Sequence, residues 1–446
     1  MKHQTGSLST ELFPGSLPLD AVGRRLLPDD VARSVAADFD VTRLPPGFHA
    51  DPYPVYQALL DHAPVHRMAS GSVLLTRHAD LEAVYKDNVT YSSDKRTEFR
   101  PKFGDSPLYA HHTTSLVFND GAQHTRVRRI MAGALTPRAI TDMEVPVTVL
   151  VDRLLDAMAA KGEVDLIEDF AAAIPVEVIG NMLAVPRDER GPLRAWSLAI
   201  LGALEPVPTA DQLAAGNAAV NGFVAYLETL IARRRRNPGD PEKDVLTRLI
   251  QGEAGALAKW ATEAPNNYGA RLSEHELYQN CIFILNAGHE TTTNLIGNGL
   301  VALTEWPDQK ARLIADPGLI KSAVEEFLRF ESSNQLGNRI TTRAVTIGGV
   351  EIAAGTSITL LIGAANRDPA RFPMPDRLDI ARQHNRHLAF GSGPHQCIGM
   401  NVARLEGQTA IARFVQRFPD YRLAGKPKRG GRARFRGFLS VPVALD

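Results

Sequence analysis

Ten residues near the C-terminus constrain this chain more than any others: FGSGPHQCIG, residues 390–399. Gly391 and Gly393 precede a cysteine, and Gly399 follows it. Glycine adopts positive φ without a Cβ penalty, so the first pair permits a tight bend. Gly399 carries no side chain to keep the following segment away from a flat ligand. Val402, Leu405, Ile411, Phe414 and Val415 fall on one side of a helix expected from Ile398 to about Phe418. Cys397 therefore stands at a helix start, where the dipole and free N–H groups favour a thiolate. A lone cysteine is more often a small buried hydrophobe. The glycine-lined bend favours a metal ligand or a nucleophile instead.

The remaining 436 residues of this 446-residue chain are ample to bury such a site. Hydrophobic residues make up 44% and charged residues 22%, the balance of a water-soluble globular protein. Fifty basic side chains offset fifty acidic ones, so nothing calls for nucleic acid or an anionic membrane as a partner. Cys281 and Cys397 are the only cysteines, which excludes a disulfide scaffold and a paired-cysteine zinc site. The opening MKHQTGSLSTELFPGSLPLD has no apolar core, so neither a signal peptide nor a membrane anchor is expected. A cytoplasmic location follows as the default.

Residues 1–45 are rich in Pro, Asp and Arg and are expected to wrap the surface loosely, ahead of a single domain over residues 46–446. Residues 90–119 lack periodicity and read as a long, functional loop with solvated charges at Lys95, Arg96, Arg100 and Lys102, and with His111 and His112. Ser273 and Glu276 match a capping box that opens a long helix running through Leu303. Strands at 345–352 and 356–362, separated by Ala-Ala-Gly, predict a hairpin. The arginine run at 233–236 and the basic segment KPKRGGRARFR read as solvated. Helices dominate throughout.

The segment 390–399 resembles the haem-binding signature Phe-Gly-x-Gly-x-His-x-Cys-x-Gly of the cytochrome P450 superfamily at every fixed position. The resemblance implies a soluble bacterial-type haem-thiolate monooxygenase: a mainly α triangular helical fold with a small β region around haem b. Cys397 would be the axial iron ligand, within a loop formed by Phe390, Gly391, Gly393 and Gly399. Thiolate ligation pushes electron density onto iron and favours O–O cleavage.

Other segments carry the same resemblance. AGHETT, residues 287–292, taken alone is a kinked core helix, because glycine costs about 1 kcal/mol against alanine and hydroxyls bond back to the preceding turn. It resembles the family's oxygen-activation motif, which implies Glu290 and Thr291 as a proton-delivering acid–alcohol pair and Ala287 against the haem. Glu326 and Arg329, by themselves an ordinary helical ion pair, resemble the family's Glu-x-x-Arg pair, with Arg377 as the third member of a structural network. His124, Arg128, Arg339 and His395 fit the positions that hold the haem carboxylates, a task suited to guanidinium forks. Arg126 and Arg129 read as a solvated face or as contacts to an acidic electron donor. The resemblance runs from about Asp51 to the C-terminus. It departs at Asn286, where bacterial relatives commonly carry an apolar residue and where a polar group can contact substrate or water.

The implied reaction inserts one oxygen atom of O2 into a small organic substrate, by hydroxylation or oxidative dealkylation. No flavin or iron–sulfur sequence follows the haem segment, so ferredoxin and ferredoxin reductase are the expected electron donors to a monomer. Two other readings are a peroxide-driven peroxygenase, against which Glu290 and Thr291 argue, and a non-catalytic haem sensor or carrier. Phe283, Asn286, Gln335, Leu336 and Leu439 are the expected substrate-pocket residues. Fatty acids, terpenoids, aromatic acids and polyketide-like molecules all fit this description.

Overall fold

A computed structural model describes residues 26–161, 163–241, 244–252 and 271–445. Its axis is a central helix, Glu274–Glu305, with the expected capping box: Ser273 Oγ accepts the Glu276 N–H (3.2 Å) and Glu276 Oε2 accepts the Ser273 N–H (2.9 Å). Leu277, Cys281, Leu285, Leu295, Leu300 and Leu303 are all buried, as a helix surrounded by others requires. The helices Ala173–Met182, Leu193–Gly202, Ala210–Arg236 and Met400–Arg417 pack around it. Gly288 permits the closest of these approaches, since a Cβ there would lie 2.8 Å from Ile179 Cδ1.

Strands form the minor layer. A five-stranded sheet runs in the order Val65–Arg67, Val73–Leu75, Ser357–Leu361, Leu336–Thr341, Tyr91–Ser92. Val73–Leu75 and Ser357–Leu361 are parallel, and the other neighbours are antiparallel. The expected hairpin is placed differently. Val345–Ile347 pairs with Val350–Ile352 around Gly348 and Gly349, whose φ values of 56° and 81° only glycine adopts readily. Ser357–Leu361 instead joins Leu336–Thr341, which carries Arg339.

Two stretches expected to be loose carry helices, and the arginine run ends one as expected. Within 90–119 lie the helices Arg96–Phe103 and Pro107–Thr114. They close on an aromatic knot in which Phe99 meets Phe103, His112 and Phe118 at ring separations of 5.2, 5.8 and 5.0 Å. Lys95 is buried on Glu98 (2.7 Å), and Lys102 donates to the Glu205 carbonyl (2.7 Å), so neither charge is solvated. In the N-terminal segment, residues 1–25 lie outside the described residues. Asp29–Asp38 is a helix that buries Ala32, Val35 and Ala36 against Tyr53–His62. In the arginine run, Arg233 pairs with Glu189, Arg234 with Asp244 and Arg235 with Glu274.

The basic segment near the C-terminus also turns inward. Arg432, Arg434 and Arg436 recur every second residue, the spacing that sends side chains to one face of extended chain. Arg436 pairs with Glu331 and donates to the carbonyls of His49 (2.9 Å) and Ala50 (3.0 Å).

Glu326 and Arg329 are fully buried and joined by two hydrogen bonds of 2.7 Å. The third member of the network is Arg382, whose Nε lies 3.1 Å from both Glu326 oxygens. Arg377 is exposed and contributes its carbonyl oxygen, which accepts from Arg329 (3.3 Å) and Arg382 (3.1 Å). Glu326 also accepts from the Asp379 N–H and the Asn385 amide, both at 3.0 Å, while Arg329 donates to the carbonyls of Asn366 (2.9 Å) and Pro375 (2.7 Å). One carboxylate and one guanidinium thus fix the path of residues 366–385, which leads into the cysteine segment. Removing one partner of such a pair strands a buried charge. Glu326→Gln is expected to lower the unfolding free energy by about 3 kcal/mol, measured by denaturant unfolding. Arg382→Ala should also destabilise strongly, and Arg377→Ala should leave the midpoint unchanged.

Candidate active site

The cysteine segment bends at Gly391 (φ 63°) and Gly393 (φ 66°). A Cβ on Gly393 would lie 2.3 Å from the Tyr85 carbonyl oxygen, so this glycine lets the loop sit directly on the helix His78–Lys86. The Cys397 N–H donates back to Phe390 O (2.9 Å) and closes the bend. The helix begins at Met400 with Gly399 at its N-cap, two residues later than the sequence pattern predicts. Burial pushes the Cys397 thiol up, against the Gly399 N–H and the nearby guanidiniums of Arg128 and Arg404. A cation at the sulfur would favour the thiolate.

Cys397 faces a mainly apolar cavity of about 350 Å³, within the size range of small-molecule sites. Along one part of its lining four cationic or imidazole side chains gather: His124, Arg128, Arg339 and His395. His124 stacks on His395 with ring centroids 3.9 Å apart, and His395 Nε2 is 2.9 Å from Asp120 Oδ1. Although burial alone would raise it, hydrogen bonds from His395 and Ser92 hold the Asp120 carboxyl down to about 2. Burial lowers His124 to about 4, so its ring is neutral near pH 7. His124 Nε2 and Arg339 Nε are buried without a partner. Arg128 donates to Gln396 O (2.7 Å), and Arg339 lies over the Tyr85 ring at 5.0 Å.

These features fit a haem. Among the described residues no three His, Cys, Asp or Glu side chains gather as metal ligands. A Cβ on Gly399 would meet no protein atom within 4 Å, which leaves a flat, open floor beside the sulfur. The orphaned donors of His124 and Arg339 are the groups that a haem's carboxylates would satisfy. Phe390, Gly391, His395 and Ala287 line the same cavity, whereas Gly393 does not reach it.

Across the cavity from the sulfur, the central helix presents Phe283, Asn286, Ala287, Gly288 and Thr291. Thr291 Oγ1 donates to Ala287 O (2.6 Å), and the Thr291 carbonyl accepts from Ser333 Oγ (2.8 Å). Glu290 turns the other way. Its carboxylate takes a two-oxygen contact from Arg432 Nη1 (2.6 and 2.7 Å) on a smaller pocket lined by His289, Asn294 and Leu439. Burial pushes the Glu290 carboxyl up, against the pull of Arg432. The structure thus places Glu290 and Thr291 on separate cavities.

Two expected pocket residues are corrected. Leu439 belongs to the smaller pocket, because it follows the inward arginines onto the far side of the central helix. Gln335 is sequestered, accepting from Tyr56 Oη (3.0 Å) and donating to Ser332 O (2.6 Å). Leu336 does line the main cavity. Arg126 is engaged with Glu276 and Arg271 O rather than forming a solvated face.

A family model for cytochrome P450 matches residues 203–420. The vitamin D(3) 25-hydroxylase of Pseudonocardia autotrophica is 38% identical over 381 residues, covering 84% of this chain and 89% of that protein. The chain belongs to the cytochrome P450 family. The biotin biosynthesis cytochrome P450 of Bacillus subtilis is 34% identical over 90% of this chain and 97% of its own length. Among solved structures, CalO2 matches with a TM-score of 0.83 at 30% identity, over 92% of this chain and 99% of that one. This P450 is accordingly a haem-thiolate monooxygenase with the family's helical fold, small organic substrates and protein redox partners.

Several residues of this P450's site carry no local signal in the sequence. Asp120 stands in FNDGAQHTRVRR without marking itself as the partner of His395. His111 and His112 sit in the cavity roof, although their segment reads as a loop. Arg432 and Arg434 turn inward although their segment reads as solvated, and their two-residue spacing is the one feature that could have found them. The glycines supply a test. Gly399→Ala should fold with an unchanged unfolding midpoint yet load haem poorly, because its methyl enters the open floor. Gly393→Ala should lose the loop itself and unfold earlier. Haem titration and thermal unfolding separate the two outcomes.

Proposed function

We propose that this P450 uses haem b, whose iron would be held by Cys397 and whose carboxylates would be held by His124, Arg128 and Arg339 with His395 alongside, to insert one oxygen atom of O2 into an apolar organic molecule. The product would be an alcohol or, for an O-alkyl substrate, the dealkylated molecule. The observation that carries this reading is that Cys397, from the bend before the helix Met400–Arg417, and Thr291, from the central helix, line one mainly apolar cavity. When bound, the haem supplies the oxidising chemistry, with the thiolate favouring O–O cleavage.

The chain's own residues then bind and move protons. Phe283, Leu336 and the roof helix Pro107–Thr114 hold the substrate and exclude water. The Thr291 hydroxyl, steadied on the Ala287 carbonyl, keeps its oxygen lone pairs toward the cavity and accepts or passes a proton there. Glu290 takes up protons on the other side of the helix when Arg432 disengages, since its burial already favours the protonated form. The pair therefore works across the helix, not by direct contact. Retention of both residues, together with a named hydroxylase and the "Cytochrome P450 monooxygenase PikC" of Streptomyces venezuelae among the relatives, favours O2-driven turnover over a peroxygenase or a sensor.

Electrons would come from a ferredoxin and its reductase to a cytoplasmic monomer, with residues 46–446 as one haem domain and the helix Asp29–Asp38 of the preceding extension packed on it. Among the described residues no helix is long and apolar enough to cross a membrane. The test begins with haem spin-state titration against fatty acids, terpenoids, aromatic acids and polyketides, followed by turnover of the responding compound under 18O2 with ferredoxin, reductase and NADPH. Product carrying one 18O atom is expected, and label arriving only from water or peroxide contradicts the reading. Thr291→Ala should keep its haem but lower product formed per NADPH about tenfold, with the balance released as peroxide. Coupling equal to the parent removes Thr291 from proton delivery.

A further inference from the structure

The roof of the cavity holds a chain of buried polar side chains from two helices. Gln279 Oε1 lies 3.0 Å from His111 Nδ1, and His111 Nε2 lies 3.3 Å from Asn286 Nδ2. With the Gln279 carbonyl as acceptor, His111 carries its proton on Nδ1 and receives the Asn286 N–H at Nε2. Burial lowers His111 to about 4, so the ring is neutral near pH 7. The contact occupies the Nδ2 end of the Asn286 amide. Asn286 lines the cavity, and its Oδ1 is buried with no partner. His112 Nε2, from the neighbouring position of the roof helix, is likewise buried and unpartnered on the same cavity.

This station presents one atom that only accepts and one imidazole nitrogen that takes either role. A ketone or ether oxygen has no proton for Asn286 Oδ1 and leaves it unsatisfied. A hydroxyl donates to Asn286 Oδ1 and keeps lone pairs for His112. Arg434 also lines the cavity, but its two Nη groups are used on Leu336 O (2.9 Å) and Asn338 Oδ1 (2.5 Å), leaving Nε as its free donor. Lys102, near His112, donates to the Glu205 carbonyl.

We infer that this P450 selects apolar substrates bearing a hydroxyl group, which donates its proton to Asn286 Oδ1, oriented by the Gln279–His111 pair. Asn286 precedes Thr291 by five residues, roughly 7–8 Å along the helix axis. The recognised hydroxyl is therefore distant from the part of the substrate presented at Thr291. The inference rests on the monooxygenase reading, because it assumes that the substrate occupies this cavity.

The test is spin-state titration of the haem-loaded enzyme with matched alcohol, ketone, methyl ether and carboxylic acid derivatives on three skeletons: linear C14, cyclododecane and a 3-substituted steroid. On the skeleton that fits, the alcohol is expected to bind about tenfold tighter than the ketone and ether. Asn286→Leu, nearly the same size, should abolish that difference while retaining affinity for the ketone and ether. His111→Phe should reduce the difference by loosening the amide. Equal affinities in the parent overturn the inference, as water alone would then occupy the station. An alcohol preference that survives Asn286→Leu, tighter binding of the acid (which would assign recognition to Arg434), or no response to any alcohol also overturns it. The absorption band of each variant's reduced carbon-monoxide complex is recorded in parallel. Loss of thiolate character there breaks the haem-thiolate reading, whereas an intact band without alcohol discrimination breaks this inference alone.

Discussion

The structure turns on the seat of one half-buried thiol, Cys397, on the main cavity. Cys397 lies in a closed bend, and its burial disfavours the anion more than the helix start and two guanidiniums favour it. A metal at the sulfur would favour the anion. The cavity's lining suits an iron held inside a flat ligand. Gly399 leaves the floor open for that ligand, and the unpartnered donors of His124 and Arg339 wait at its edge.

Much of the remaining architecture holds that thiol in place. Gly393 seats the bend on the Tyr85 carbonyl with no room for a side chain. The Glu326–Arg329–Arg382 network converts residues 366–385, which have little regular structure, into a fixed strap. A buried ion network is a costly way to gain stability alone. Here its use is positional: several backbone groups of one strap are tied to two side chains of a single helix. The inward arginines do the same for the C-terminal segment, with Arg432 reaching the acid behind the central helix and Arg436 reaching Glu331.

What could be read from the sequence followed the range of the interaction. The cysteine bend, the capping box at Ser273 and the 287–292 segment are local, so residue type and spacing reveal them. The partner of Glu326 is not local. Both Arg377 and Arg382 lie near enough in the chain, and only the folded path of the strap selects Arg382. The helices at Arg96–Phe103 and Pro107–Thr114 escaped because an aromatic knot, not an amphipathic stripe, orders them. The motif at 287–292 implies Glu290 and Thr291 as a pair, but helical rotation of about 100° per residue turns the two toward different cavities, which the motif alone does not reveal. Asn286 was visible as a departure from an apolar position, but its hydrogen-bonded support by His111 was not.

The most direct measurement is X-ray absorption at the iron edge of the purified, haem-loaded protein. The account predicts a single sulfur scatterer in the iron's first shell beside the porphyrin nitrogens, lost when Cys397 is replaced by serine. An all-nitrogen first shell in the parent protein, or a sulfur that persists without Cys397, would contradict it.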